Sequence, residues 1–141
     1  MISPTELAEM EAVCFPNASA RWTAEQYAQH LGSQGQITVA DEAGFIVGRV
    51  AADEAEIISL GVLPDQREDG HGTELLTRFE KAAMDLKANV VFLEVSAQNK
   101  AALALYKARE YLRVGRRRKY YENDQGLAVD AFILRKMLHE T

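Results

Sequence analysis

The chain has 141 residues with 48% apolar and 26% charged side chains, the balance of one ordinary globular domain, expected to span residues 1–141. That composition excludes a disordered tail and a fibre. The single cysteine, Cys14, excludes an intramolecular disulfide. No apolar run approaches the roughly 20 residues that span a bilayer. Residues 1–10 carry two glutamates and no basic residue, unlike a signal or transit peptide, so a soluble cytoplasmic protein is expected. The net charge of −5 argues against general nucleic-acid binding. It is unevenly divided. Residues 1–60 hold nine acids against Arg21 and Arg49, a net of −7, while residues 61–141 carry +2. The second part is the side suited to an anionic ligand.

In chain order, Ser3-Pro4-Thr5-Glu6 is a capping box with proline at the first helical position. It predicts a helix with Leu7, Met10 and Val13 inward, ended by Phe15-Pro16-Asn17. A second capping box, Thr23 to Gln26, opens a short helix with Tyr27 and Leu31 inward. Strands are predicted over 37–40, 45–50 and 55–62, the first two joined by the turn Asp41-Glu42-Ala43-Gly44. Leu75, Leu76, Phe79, Ala82, Ala83 and Leu86 recur at helical spacing. Val90-Val91-Phe92-Leu93 reads as a buried strand that ends at Glu94. Asn99 can cap a helix through Leu103 and Tyr106. Extended segments over 111–121 and 127–138 flank the turn Asn123-Asp124-Gln125-Gly126. A strand–helix–strand step among antiparallel pairs implies a mixed α/β (α+β) sheet with helices on its faces.

Between the third strand and its helix runs Val62-Leu63-Pro64-Asp65-Gln66-Arg67-Glu68-Asp69-Gly70-His71-Gly72. A helix N-terminus offers unpaired N–H groups and a positive dipole end, and glycines let backbone approach a ligand closely. Strand, loop and helix thus form a candidate anion cradle. The segment lacks the Gly-Lys-Ser/Thr ending of a Walker loop and the three glycines of a dinucleotide fingerprint. His71 has no metal-ligand spacing around it, and no metal is expected.

The stretch Val62-x-Pro64-x-x-Arg67-x-x-Gly70-x-Gly72 resembles the pyrophosphate loop of GCN5-related N-acetyltransferases (GNAT). Leu93-Glu94-Val95-Ser96-Ala97-Gln98-Asn99, the helix to Tyr106, Arg117-Arg118-Lys119-Tyr120-Tyr121 and Asp130-Ala131-Phe132-Ile133-Leu134 resemble the RimI-type subgroup. The resemblance covers about residues 45–138 well. It implies a GNAT fold: a mostly antiparallel sheet, helices on both faces, and a splayed central cleft for the cosubstrate. It implies acetyl-CoA as acetyl donor and a protein N-terminal α-amine as acceptor, the N-terminal alanine of a small-subunit ribosomal protein. A GNAT enzyme of a small-molecule amine and a silent acyl-CoA-binding module are the alternatives. A monomer or weak dimer is expected, with neither nucleic acid nor membrane as partner.

By the same resemblance Glu94 is the general base and Tyr106 the general acid; apart from it, they also read as an outward carboxylate at a strand end and an aromatic core residue. An α-amino group, with a pKa of about 7.7–8.0, must lose its proton, and a carboxylate can take it. A tyrosine, ordinarily near pKa ~10, can protonate the departing thiolate. Asn99, Leu103 and Tyr106 share one helix face. The cosubstrate is expected against Leu60, Gly61 and Val62, against Arg67, Glu68, Asp69, Gly70, His71, Gly72 and Thr73, and against Asn99 and Tyr106. Gly61 in a β-rich strand suggests a bulge or a close ligand. Glu68, Asp69 and Glu110 depart from the family, which often has glycine or basic residues at the first two and glycine at the third. A strained C-cap is expected at Glu110. The family's first strand is expected to be short or missing. Arg113, Arg116, Arg117, Arg118 and Lys119 alternate faces in a strand and cannot form one patch. They are read either as a solvated hairpin or as contacts to acidic ribosomal protein or RNA, or to the cosubstrate's phosphates. Trp22, Tyr120 and Tyr121 are candidates for an acceptor groove or for packing.

Overall fold

A computed structural model describes residues 2–16, 21–122 and 128–138, with the side chains of 119–122 excepted. The predicted turn at 123–126 lies outside them. The order is α1 (Pro4–Cys14), α2 (Ala24–Leu31), β1 (Gln36–Ala40), β2 (Gly44–Ala51), β3 (Glu54–Val62), α3 (His71–Asp85), β4 (Val90–Ser96), α4 (Lys100–Ala108), β5 (Leu112–Glu122) and β6 (Ala128–Met137). A short 3₁₀ turn, Pro64–Gln66, precedes the cradle loop. Among the described residues the first element is helix α1, with no strand ahead of it.

Both capping boxes form. The Ser3 hydroxyl accepts from Glu6 N–H while the Glu6 carboxylate accepts from Ser3 N–H, and Thr23 and Gln26 repeat the exchange. The inward face of α1 differs from expectation. Leu7 is buried, but so are Glu11 and Cys14, whereas Val13 is 52% exposed. Residues 7, 11 and 14 make the helical stripe, and Glu11 can join it because it finds donors. Its carboxylate accepts from Trp22 N–H at 2.8 Å and from the Tyr27 hydroxyl. Burial and this neighbouring carboxylate push the Tyr27 phenol up, so it keeps its proton.

The six strands lie in the order β1-β2-β3-β4-β6-β5. All pairs are antiparallel except β3 with β4. Alternation along β2 sends Ile46 to one face and Phe45 and Val47 to the other. On the first face α3 supplies Leu75, Leu76, Phe79 and Ala83, and α4 supplies Tyr106, to a core shared with Ile57, Val91 and Leu93. On the second, α1 and α2 bring Leu7, Cys14 and Tyr27 onto Phe45 and Val47. Helices therefore cover both faces, as the fold class required.

The bulge expected at Gly61 sits elsewhere. The β2–β3 register shifts between Val47 and Gly48, which pair with Ser59 and Ile57, so Ile58 is the extra residue. Gly61 pairs regularly with Phe45. A Cβ there would stand 2.7 Å from the Phe45 ring and 3.0 Å from the Cys14 sulfur, so glycine admits α1 to the sheet.

Among the described residues four non-glycine positions have positive φ, including Glu68 (69°) and Glu110 (72°). Both occupy positions where the family often has glycine, so the strain expected at Glu110 is present. Left-handed backbone costs an ordinary residue roughly 1–2 kcal/mol. Glu110→Gly is expected to stabilise the fold by about 0.5–1 kcal/mol, the gain being trimmed by glycine's extra unfolded-state entropy. A urea-unfolding midpoint that rises at constant slope checks it.

Candidate active site

The site begins where two parallel strands part. The β3–β4 ladder runs only from Glu54↔Val90 to Ile57↔Leu93. Beyond it β3 stays with β2 through Val62, and β4 stays with β6 through Ser96. Glu94 therefore lies inside a strand rather than at its end, with Ile133 of β6 opposite. A gap opens between Ile58–Val62 on one lip and Glu94–Ser96 on the other. Alternate backbone N–H and C=O groups along these lips face the gap, available to an extended ligand.

The cradle loop closes the upper end of the gap. Helices α1, α2 and α4 are each capped by a side chain: Ser3, Thr23 and Asn99. Helix α3 is not. Its N-cap is Gly70, in the left-handed region at φ 85°, with nothing within 4 Å of where a Cβ would stand. The first N–H groups of α3, at His71, Gly72 and Thr73, thus lack a side-chain acceptor and carry the positive end of the dipole. That arrangement fits a pyrophosphate. A Cβ at Gly72 would stand 3.2 Å from Leu105 of α4, so the cradle abuts the helix bearing Tyr106.

The other expected site residues are distributed around this frame. Glu68 and Asp69 are exposed. Leu60 and Val62 pack partly against the α3 core. The Asn99 Oδ1 accepts from Ala102 N–H at 3.1 Å, making Asn99 the cap of α4. Tyr106 is 4% exposed, its ring edge-on to Tyr111 at 5.3 Å. The Arg67 guanidinium is held by two backbone carbonyls. Its Nε donates to Val62 O at 2.9 Å and an Nη donates to Cys14 O at 3.1 Å.

Leu93 and Val95 face the α3 core, so Glu94 faces the side on which α1 and α2 pack. Its Oε1 pairs with an Arg117 Nη at 2.9 Å, and the carboxylate remains 26% exposed. No local sequence pattern singles out this partner. The neighbouring arginines are engaged as well. Arg116 pairs with Asp130, and Arg113 lies over the Phe132 ring at 3.9 Å. These contacts favour the hairpin reading of the basic run. Trp22 packs edge-on against Tyr27 and tilts over His30, within the α1–α2 core. The side chains of Tyr120 and Tyr121 lie outside the described residues.

Beneath Tyr106 is a buried cluster that sequence periodicity did not single out. Glu80 of α3 is 5% exposed. It accepts from Tyr111 Oη at 2.9 Å, from an Arg109 Nη at 2.9 Å and from Lys136 Nζ at 3.1 Å. Burial and the Glu80 charge push the Tyr111 phenol up, holding it as the donor. Burial likewise raises the Cys14 thiol, though Arg67 opposes it, so Cys14 is a poor nucleophile. Among the described residues no group of three His, Cys, Asp or Glu is arranged to hold a metal ion, and no helix is long and apolar enough to cross a membrane.

Parted parallel strands beside an uncapped helix start can take an extended ligand with an anionic end. Residues 5–111 match the acetyltransferase (GNAT) family model, and the chain belongs to that family. It is 34% identical over 137 residues to the N-alpha-acetyltransferase RimI of Mycobacterium tuberculosis, covering 92% of this chain and 83% of the relative. The crystal structure of the ribosomal-protein-S18-alanine N-acetyltransferase from Escherichia coli superposes with a TM-score of 0.80 at 25% identity, covering 99% of this chain and 92% of that one. Arabidopsis thaliana NAA60 in complex with acetyl-CoA shares the fold, with a TM-score of 0.78 at 19% identity over 97% of this chain and 96% of that one. The chain is thus an acetyltransferase whose relatives include the RimI type.

Proposed function

We propose that this enzyme moves an acetyl group from acetyl-CoA to the α-amine of a protein N-terminus, the acceptor being the N-terminal alanine of a small-subunit ribosomal protein. The observation that carries the chemistry is the strand gap between the uncapped α3 N-terminus and Glu94. The similarity to RimI-type enzymes carries the acceptor.

In this reading the pyrophosphate rests on the N–H groups at the start of α3, and the pantetheine arm lies along the β3 lip. The thioester carbonyl, held near Leu60–Val62, takes a backbone donor where negative charge develops. The acceptor arrives on the opposite face, bounded by α1 and α2 on one side and by β5 on the other. Its ammonium meets the Glu94 carboxylate, which removes a proton directly or through one water. The free amine attacks the carbonyl carbon, the C–S bond breaks, and Tyr106 gives its proton to the thiolate, while the nitrogen's surplus proton leaves to water and solvent restores the Tyr106 phenol. Arg117 shares the Glu94 carboxylate until the ammonium competes for it, so the unloaded site holds no unpaired charge.

Acetyl-CoA consumption with peptides starting in alanine, in serine or in a blocked residue tests the assignment. Turnover on the free alanine terminus and none on the blocked peptide is expected. Equal turnover on small amines and on the alanine peptide would contradict it.

A further inference from the structure

The arginine of the cradle loop does its bonding outside the cradle. Through Nε and Nη, Arg67 bridges two carbonyls, Val62 O on the β3 lip and Cys14 O at the end of α1. Helix α1 has no basic residue in its own last turn, so its terminal carbonyls, at the negative end of its dipole, need outside donors. A second arginine helps, since Arg21 Nη1 lies 3.4 Å from Ala12 O and 3.3 Å from Phe15 O. Glu11 then fastens the far side of the connection, taking the Trp22 N–H and the Tyr27 hydroxyl. The start of α2 is thereby joined through α1 and Arg67 to the loop that would hold the pyrophosphate. That loop is conformationally delicate, with Glu68 and Gly70 both at positive φ.

We propose that Arg67 is a positioning residue that couples the cosubstrate loop to the α1–α2 acceptor wall, so that seating acetyl-CoA or CoA tightens acceptor binding. This rests on the proposed acetyl transfer to a peptide terminus. A pyrophosphate on the α3 N-terminus fixes the loop, the fixed loop aims the guanidinium, and the guanidinium fixes the end of α1. Linkage makes the effect mutual: the acceptor must tighten CoA by the same factor. Planarity matters, because one guanidinium spans both carbonyls and a lysine ammonium is a point donor.

The test is Arg67→Met beside Arg67→Lys, assayed with an alanine-first peptide. The methionine variant is expected to raise the peptide KM about tenfold and the acetyl-CoA KM less than twofold, with lysine rescuing only part. Trp22, the only tryptophan, reports on the same wall without turnover. Its emission is expected to shift when CoA is added to the wild type. The shift should be absent in Arg67→Met and reduced in Arg67→Lys under calorimetrically verified CoA saturation. An acetyl-CoA KM that rises as much as the peptide KM, or no change in either, would overturn the coupling. Should methionine prevent folding, the lysine variant decides by the same criteria. If the wild type acetylates no peptide, the proposed function fails, while the Trp22 response still decides the tie.

Discussion

Replacing Glu94 by glutamine is expected to lower kcat/KM for an α-amine acceptor by about 10²–10³-fold at neutral pH, the usual size of a lost general base. The deficit should depend on pH in a particular sense. Below about pH 8 most of the acceptor is ammonium, and the variant has nothing to deprotonate it. Above that pH the amine is already free, and the gap to the wild type should narrow. Steady-state rates across this range, normalised to the wild type, check it; a pH-independent deficit would point to lost binding instead. Tyr106→Phe should behave differently. It removes a proton donated after attack, so kcat should fall about tenfold or more with little change in either KM. Full activity in both variants would remove these roles.

The second large effect is on stability. Glu80→Ala should destabilise the fold by about 3 kcal/mol, the low end for breaking a buried ion pair. The low end applies because water reaches the partners: the Arg109 side chain is 31% exposed and that of Lys136 17%. The loss strands a buried phenol at Tyr111 and two cations that now lack their shared carboxylate. Thermal unfolding should fall by roughly 10 °C for a chain of this size. Glu80→Gln, which keeps an acceptor for Tyr111, should lose less. Because Tyr111 supports the Tyr106 ring edge-on, kcat should also fall at temperatures where Glu80→Ala is still folded. An unchanged midpoint in both variants would show that the cluster contributes nothing.

Local signals were the ones readable without coordinates. The Ser3 and Thr23 capping boxes each close within four residues, and Pro4 needs only its own ring to start a helix. The strand-to-helix alternation and the glycine loop were equally plain, because period and turn chemistry are written in neighbouring residues. The family glycine position filled by Glu110 marked a strained C-cap, and positive φ is found there.

The failures share a different cause. Nothing local marks Glu11 as buried, because its donors, Trp22 and Tyr27, belong to the next loop and helix. Val13 looked inward on composition, yet the stripe that meets Phe45 runs through Cys14. Gly61 suggested a bulge or a close ligand; the bulge lies at Ile58 instead, and Gly61 admits the close approach of Phe45 and Cys14. Contacts that sequence does not show have the same origin: Arg67 of the cradle motif donates to Cys14 O, 53 residues away. The Glu94–Arg117 pair likewise joins two strands that β6 separates. In each case a tertiary contact, absent from any window of sequence, decides what the side chain does.

Charge gains meaning from the fold. The cradle and both lips of the gap belong to β3, α3, β4 and α4, largely within the part of net charge +2, while α1 and α2 belong to the part of net charge −7. In the proposed reading an anionic cosubstrate docks on the former, and a positively charged protein terminus approaches beside the latter.

The most direct test uses one peptide carrying both a free N-terminal alanine and an internal lysine, incubated with acetyl-CoA and fragmented in a mass spectrometer. A single acetyl group on the α-amine, formed at a rate that Glu94→Gln suppresses at neutral pH, is the predicted result. An acetyl group on the lysine side chain with the alanine terminus left free would contradict it.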